Sequence, residues 1–165
     1  MSLKTLHGPR IQLHLQKGIK KITFLTELKR SGLSYSDLIS YYTAVIRSVL
    51  EYGCPVLVWH TGLTLIDSNR IELIQKRALK IIFRDLSYQD VLNKSCLSSL
   101  KERRNILTAS FFKKLQNCND KLNYLLPMQT DHKYNLRNPK KYSVPSVRTE
   151  HMKKSFIIFS LFNLQ

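Results

Sequence analysis

The most distinctive chemistry in this 165-residue sequence is a group of cationic side chains on one predicted helix. They fall at positions i, i+1, i+4 and i+8, so a helix gathers them on one side of its cylinder. Such a stripe favours contact with the phosphates of a nucleic-acid backbone. The same spacing is equally typical of an ordinary solvated helix face. The four residues are Lys76, Arg77, Lys80 and Arg84.

Further basic residues extend this prediction beyond one helix. A later predicted helix carries two adjacent arginines, and the C-terminal region is rich in lysine. We expect these side chains to add phosphate contacts and positive charge. The resulting binding should tolerate sequence variation and weaken as the salt concentration rises. The residues are Arg103, Arg104, Lys140, Lys141, Arg148, Lys153 and Lys154.

The sequence offers no arrangement of residues that predicts catalysis. Polymerase chemistry requires carboxylates that hold two metal ions, usually with an Asp-Asp pair, and the sequence contains no such pair. The five histidines have no metal-ligand spacing, the three cysteines lie far apart, and the five glycines form no phosphate-binding loop. Cys54 near His60 is a conceivable nucleophile pair, but both residues flank an apolar run. We therefore expect no catalytic residue, no metal site and no cofactor.

The charge balance indicates the class of partner. The chain has 27 Lys and Arg residues against 11 Asp and Glu, a formal net charge of +16. This excess favours a polyanion, either nucleic acid or an anionic membrane surface, and the alternative is a basic but inert surface. The sequence shows no signal peptide, and its late apolar run, 156–162, is too short to span a bilayer. We expect an intracellular protein, nuclear or cytoplasmic, that is neither secreted nor bound to a membrane.

The apolar spacing predicts an all-α fold, a bundle of about five to six helices followed by an extended basic C-terminal tail. Start signals occur at Ser34 or Ser36, at Thr64, at Ser87 and at Ser98 or Ser99. The predicted helices cover about 11–30, 34–52, 64–83, 87–94, 98–117 and 150–162. Between the second and third, the Gly-Cys-Pro sequence at 53–55 breaks the helix before an apolar run, 56–59, that should lie in the core. The predicted organisation is a loose lead-in over 1–16, a helical domain over 17–119, and a proline-containing tail over 120–165 with a terminal amphipathic helix.

Two stretches resemble reverse transcriptases of non-LTR (LINE, jockey-like) retrotransposons. Residues 42–60, YTAVIRSVLEYGCPVLVWH, resemble the segment after the palm. Residues 71–82, IELIQKRALKII, match the family's pattern of an apolar pair, Gln-Lys-Arg-Ala and a second apolar pair. The helix at 22–30 and the tail motifs YNLRN (134–138), YSVP (142–145), RTE (148–150) and KSF (154–156) also fit. The resemblance extends from about Lys17 to the end of the sequence.

This resemblance implies a thumb and post-thumb region, whose helices grip a template–primer duplex through its backbone. The parent enzyme copies RNA into DNA. The family's endonuclease domain, fingers, palm, catalytic Tyr/Phe-x-Asp-Asp motif and zinc knuckle are missing, residues 1–16 do not resemble the palm, and the family pattern is usually one residue shorter before Trp59. We therefore expect a non-catalytic fragment that binds RNA or DNA as a template–primer hybrid. The alternatives are a relic reading frame without activity and a domesticated adaptor that binds a protein through an exposed apolar face.

Residues 22–60 also resemble the N-terminal segment of an AlkB-homologue tRNA-modifying protein. That resemblance implies iron and 2-oxoglutarate chemistry. The His-x-Asp motif and second histidine that would hold the iron are missing from this sequence, so we expect no such activity.

Overall fold

The structure is a computed structural model that describes residues 8–51, 61–117, 121–129 and 141–164, except the side chains of 8–11, 14 and 151. Within these ranges the only β-type pairing is an isolated antiparallel bridge between Gln129 and Tyr142. The predicted all-α fold is confirmed. The predicted break at 53–55 and the apolar run at 56–59 lie outside the described residues. The helices are α1 (Gly8–Arg30), α2 (Tyr35–Tyr41), a π-helical segment (Tyr42–Arg47), α3 (Ser48–Glu51), α4 (Leu65–Ile82), α5 (Tyr88–Ser95), α6 (Leu100–Leu115), a 3-10 turn (Asn123–Leu125), α7 (Glu150–Lys153) and α8 (Phe156–Asn163).

A serine or threonine hydroxyl caps the N-terminus of each of the helices α2, α4, α5 and α6, as the sequence predicts. The Ser34 hydroxyl accepts a hydrogen bond from the Asp37 backbone N–H at 3.2 Å and donates one to the Asp37 carboxylate at 2.6 Å. This interaction satisfies an amide that the first helical turn leaves without a partner. The structure therefore selects Ser34 over Ser36 and Ser99 over Ser98. The equivalent pairs are Thr64 with Asp67, Ser87 with Asp90 and Ser99 with Glu102.

Helix α1 begins earlier than the sequence predicts. Its first residue is Gly8, so residues 8–16 of the predicted loose lead-in are helical. Pro9 lies in the first turn, where a missing N–H costs no intrahelical hydrogen bond. The glycine and proline that suggest an irregular segment are therefore compatible with the start of this helix.

The described residues form two compact units, and their boundary differs from the predicted one. The first unit contains residues 8–51 and 64–103, and the second contains 61–63, 104–117, 121–129 and 141–164. The division falls between Arg103 and Arg104, inside α6, whereas the sequence predicts a boundary after residue 119. The composition changes after 119, but the change does not mark the end of a packed unit.

In the first unit, α1 packs against α4 and against the helix formed by residues 35–51. Gly18 is buried at this contact, where a Cβ atom would lie 3.0 Å from Leu50 Cδ2 and 3.6 Å from Ile74 Cδ1. The inner face of α1 continues through Ile22 and Leu25, both buried. Ile19, which the apolar spacing places inside, is 48% exposed. The inner face is rotated toward Gly18 because the missing side chain lets the helices approach closely.

The helix of residues 35–51 contains a π-helical turn that the sequence analysis misses. Its buried side chains recur every four residues, whereas four residues of a regular α-helix overshoot one turn by about 40°. The wider π turn between α2 and α3 rotates less per residue and reduces this drift for the four buried side chains. These side chains are Leu38, Tyr42, Ile46 and Leu50.

The second unit has its own hydrophobic core. Phe112 of α6, Tyr142 and Leu161 of α8 are buried together, and four partly buried residues pack around them. The segment predicted as a tail thus contributes core residues, and its predicted terminal helix is divided into α7 and α8 because Ser155 is extended. The surrounding residues are Leu126, Val144, Phe156 and Ile157. No described helix combines the length and the apolar character needed to cross a membrane.

Candidate functional site

A groove of about 510 Å³ lies between the C-terminal parts of α1 and α4 in the first unit. Five of its seven lining residues are cationic, and none is acidic. Three of the five are arginines, which offer planar sets of N–H donors suited to paired hydrogen bonds with phosphate oxygens. We term this feature the basic groove. Its lining residues are Thr26, Lys29, Arg30, Arg77, Lys80, Ile81 and Arg84.

The helical period explains why these residues meet. The α1 residues of the groove are spaced i, i+3 and i+4, and those of α4 repeat the same spacing before Arg84 follows seven residues after the first. Positions with this spacing share one helix face. Because α1 packs against α4, two cationic faces border one cleft. Two packed helices therefore place six of the seven lining residues, and Arg84 follows in the turn after α4.

The fold tolerates this concentration of positive charge for two reasons. Lys29 and Arg30 end α1, and Lys80 lies in the last turn of α4, where the partial negative charge of a helix C-terminus favours cations. In addition, Arg30, Arg77, Lys80 and Arg84 are exposed to water. None of these four makes an ion pair within the described ranges. The groove therefore presents charges that are not already neutralised by carboxylates.

The structure brings Arg77, Lys80 and Arg84 together but places Lys76 elsewhere. The Lys76 ammonium lies 5.0 Å from the centre of the Tyr88 ring, a cation–π contact with α5. Lys76 precedes Arg77 by one residue, which rotates its side chain by about 100° around the helix. The predicted stripe of four is thus a group of three plus a lysine directed toward a different helix.

The prediction that Arg104 contacts phosphate is wrong, because its side chain is buried with only 1% exposure. Residues 100, 104, 108 and 112 of α6 are all buried, so the four-residue spacing carries Arg104 into the helix interior face. Its neighbour Arg103 is partly exposed, but its Nε lies 2.7 Å from Glu51 Oε1. Arg104 therefore packs in the interior, and Arg103 forms an ion pair with Glu51. Neither is among the lining residues of the basic groove.

The predicted cations of the C-terminal region belong to the second unit. Lys141, Arg148 and Lys154 are exposed. Lys153 donates a hydrogen bond to Glu150 at 2.7 Å, and this bond together with its charge lowers the pKa of the exposed Glu150 carboxyl. Lys140 lies outside the described residues. Lys141, Arg148, Lys153 and Lys154 therefore add exposed positive charge to the second unit.

A stacked aromatic pair lies next to the basic groove and contacts one of its lysines. The rings of Tyr35 and Phe83 are nearly parallel, 6° apart, with centroids 5.3 Å apart. The ammonium of Lys29 lies 4.0 Å from the centroid of the Tyr35 ring, and that of Lys94 lies 5.6 Å from the Phe83 centroid. Sequence reasoning missed Lys29, Arg30 and Tyr35 as site residues. The sequence shows that these residues are cationic or aromatic, but only the packing of α1 on α4 shows which cations of α1 lie beside those of α4.

A buried polar network lies behind the outward-facing cations of α4. The Tyr42 hydroxyl donates to the Gln75 side-chain oxygen, and Gln75 Nε2 donates to the Tyr88 hydroxyl at 2.8 Å and to the Ser98 carbonyl at 3.1 Å. Tyr88 in turn donates to Glu72. Burial raises the pKa of both tyrosines, and the Glu72 carboxylate adds to this effect at Tyr88. Both hydroxyls therefore keep their protons to a higher pH than a free tyrosine does and remain hydrogen-bond donors in the interior, which fits a structural role.

Metal-ligating residues do not cluster in the described part of the chain. Among those residues, no three His, Cys, Asp or Glu side chains come together as a metal site requires. Cys96 is a free, exposed thiol at the end of α5. The conceivable pair of Cys54 and His60 lies outside the described residues.

Comparisons with protein-family models, with curated proteins and with solved structures each find no match. The resemblance to reverse transcriptases therefore rests on the sequence motifs, chiefly those of residues 42–60 and 71–82. The function has to be inferred from the residues of the chain and their geometry.

Proposed function

We propose that this chain is a non-catalytic nucleic-acid-binding module, related to the thumb region of a non-LTR retrotransposon reverse transcriptase. The observation that carries the proposal is the convergence of five cations from α1, α4 and the turn after α4 on one groove, among whose described lining residues there is no carboxylate. In this proposal the groove holds backbone phosphates of a template–primer duplex. The sequence resemblance supports the choice of duplex, because thumb helices of that family hold template and primer.

The chemistry of the groove suits phosphates better than other anions of the cell. Its arginines provide directional, paired donors, while Lys29 and Lys80 add compact charges that adapt to the position of each phosphate. Only Thr26 and Ile81 contribute uncharged side chains, and the aliphatic stems of the lysines and arginines supply apolar surface between the charged groups. Contacts of this kind carry no sequence information, and binding should be sequence-tolerant.

The proposal is tested by fluorescence anisotropy with a labelled RNA–DNA hybrid at salt concentrations from about 50 to 200 mM. The variant Lys80→Gln/Arg84→Gln removes two charges from the groove. The matched control, Lys20→Gln/Lys21→Gln, removes two exposed charges from α1 that do not line the groove. Circular dichroism on all three proteins checks that their helical content is equal.

We expect the wild-type affinity to fall steeply as salt rises. The groove variant should reduce the slope of log affinity against log salt by about 2, since each phosphate contact contributes about 0.9 to the slope on a duplex. The control variant should leave most of the slope unchanged. Equal slopes for wild type and groove variant, or an affinity independent of salt, would overturn the proposal.

A second candidate function, a protein-binding adaptor, is favoured by one observation. Ile66 and Leu73 of α4 are exposed apolar residues seven positions apart, so they share a helix face, and Leu65 beside them is exposed as well. This role would be supported by a protein partner whose binding survives nuclease treatment and is lost in the Ile66→Ser/Leu73→Ser variant. If the same variant still binds the RNA–DNA hybrid, the protein-binding face is distinct from the basic groove.

A further inference from the structure

We infer that Tyr35 is a base-stacking residue at the edge of the basic groove, so that the groove takes a nucleic acid with an unpaired base beside its phosphates. This inference rests on the proposed function and specifies its ligand. The geometry that points to it is the contact of Tyr35 with Lys29, because Lys29 lines the groove and its ammonium also lies over the Tyr35 ring.

Tyr35 has the placement that a stacking platform requires. It is the first residue of α2 and is 56% exposed, whereas Phe83 behind it is buried. The nearly parallel stacking of the two rings holds Tyr35 in one orientation, so little side-chain freedom remains to be lost on binding. Phe83 is also the residue that precedes Arg84 in the chain, which ties the aromatic pair to the lining of the groove.

Lys29 links base stacking to phosphate binding. In the unliganded chain its ammonium lies over the Tyr35 ring, attracted by the negative face of the aromatic system. A nucleobase covers a larger part of the ring than an ammonium does, and the exposed cation–π contact is the weaker of the two interactions. A base that displaces Lys29 leaves the ammonium beside the groove, where the phosphate next to that base requires a cation.

This arrangement selects the class of nucleic acid. Bases inside a duplex already stack on their neighbours and are not available to a protein ring, whereas unpaired bases are. The ligand is therefore a strand with at least one unpaired nucleotide, such as the single-stranded template that extends beyond the end of a primer. Stacking on tyrosine accepts every base, so the preference is for unpaired nucleotides and not for a sequence.

The test compares two labelled single strands of equal length and charge, one of thymidine nucleotides and one whose sugars carry no bases. The proteins are the wild type, Tyr35→Leu and Tyr35→Phe, with folding checked by circular dichroism and urea unfolding. Leucine keeps an apolar contact with Phe83 but has no aromatic face, and phenylalanine keeps the face without the hydroxyl. Lys29→Gln is the control that removes a groove charge and leaves the ring in place.

We expect wild type to bind the thymidine strand roughly 5- to 100-fold more tightly than the abasic strand. Tyr35→Phe should keep this ratio, and Tyr35→Leu should reduce it nearly to one. Lys29→Gln should weaken the binding of both strands and keep or raise the ratio, because no ammonium then has to leave the ring. Equal binding of the two strands by wild type would overturn the stacking inference and leave phosphate binding intact. A ratio that survives in Tyr35→Leu would also overturn it. Failure of both strands and of the RNA–DNA hybrid to bind at low salt would overturn the proposed function as well.

Discussion

The Tyr42 hydroxyl donates a hydrogen bond to the side-chain oxygen of Gln75, and both residues are buried. Gln75 opens the Gln-Lys-Arg-Ala run, whose last residue, Ala78, is buried as well. Arg77 of the same run lines the basic groove. Within this short motif, the buried Gln75 and Ala78 hold α4 against its neighbours, and Arg77 places a cation in the groove. This division explains how a cationic stripe can be held rigidly by the interior behind it.

Tyr42→Phe should lower the free energy of unfolding by about 1–3 kcal/mol, because the buried oxygen of Gln75 loses its donor. Urea unfolding followed by circular dichroism measures the change. Tyr41→Phe is the matched control, since the Tyr41 hydroxyl makes only an exposed bond of 3.4 Å to the Lys21 carbonyl. The control should shift the stability by less than about 0.5 kcal/mol. Equal losses in both variants would contradict a special role for the buried bond.

Stability should fall at alkaline pH, and Tyr42 should account for part of the fall. Burial raises the pKa of Tyr42 in the folded protein, whereas the unfolded chain releases this proton near pH 10. The folded state thus holds the proton more tightly, so its stabilising contribution is complete below about pH 10 and is lost as the pH rises further. Urea midpoints between about pH 8 and 11 should decline less steeply in Tyr42→Phe than in wild type. Parallel curves for the two proteins would show that Tyr42 titrates normally.

The helices were predictable because their signals are local. Ser34 and Thr64, for example, each precede an aspartate by three residues, and a cap requires nothing more distant than that. The π turn between α2 and α3 was not predictable in this way. It depends on which side chains the core accepts at Tyr42 and Ile46, and the packing of neighbouring helices decides this.

The sequence predicts only the part of the candidate site that α4 contributes. The spacing of Arg77 and Lys80 places them on one face of α4 without any knowledge of packing. Arg84 follows the end of α4 at Ile82, so the turn after the helix decides its place in the groove. Lys29 joins them from another helix, so its membership depends on how α1 docks. Arg104 was misassigned because its charge suggested the surface, although it lies four residues after the buried Leu100. A spacing test applied to charged as well as apolar residues would have placed Arg104 inside.

Gly18 should tolerate alanine and reject larger side chains. Alanine improves helix propensity by about 1 kcal/mol, but its Cβ lies 3.0 Å from Leu50 Cδ2, so Leu50 has to move slightly and the two effects nearly cancel. Gly18→Leu should destabilise by about 1–3 kcal/mol, because the α1 contact with α4 has no room for it. Gln16→Leu, at an exposed position of α1, is the control in urea unfolding. A Gly18→Leu protein as stable as this control would contradict the close helix approach.

Arg103 should contribute to stability and not to nucleic-acid binding. Its Nε lies 2.7 Å from Glu51 Oε1, and the Glu51 side chain is only 12% exposed, so removing the arginine leaves a largely buried carboxylate without its partner. Because the Arg103 side chain is 36% exposed, water screens the pair, and we expect Arg103→Gln to cost about 1–2 kcal/mol in urea unfolding. Arg103→Gln/Glu51→Gln should recover part of this loss, since the unpaired charge is removed as well.

The same Arg103→Gln protein distinguishes the ion pair from the sequence-based assignment to phosphate binding. If Arg103 serves Glu51, the salt dependence of hybrid binding should match that of wild type. If Arg103 contacts a phosphate instead, the slope of log affinity against log salt should fall by about 0.9. Lys80→Gln supplies the reference in the same assay, because Lys80 lines the basic groove and has no carboxylate partner among the described residues. A slope change in Lys80→Gln without one in Arg103→Gln would place the contact surface on the α1–α4 groove and not on the start of α6.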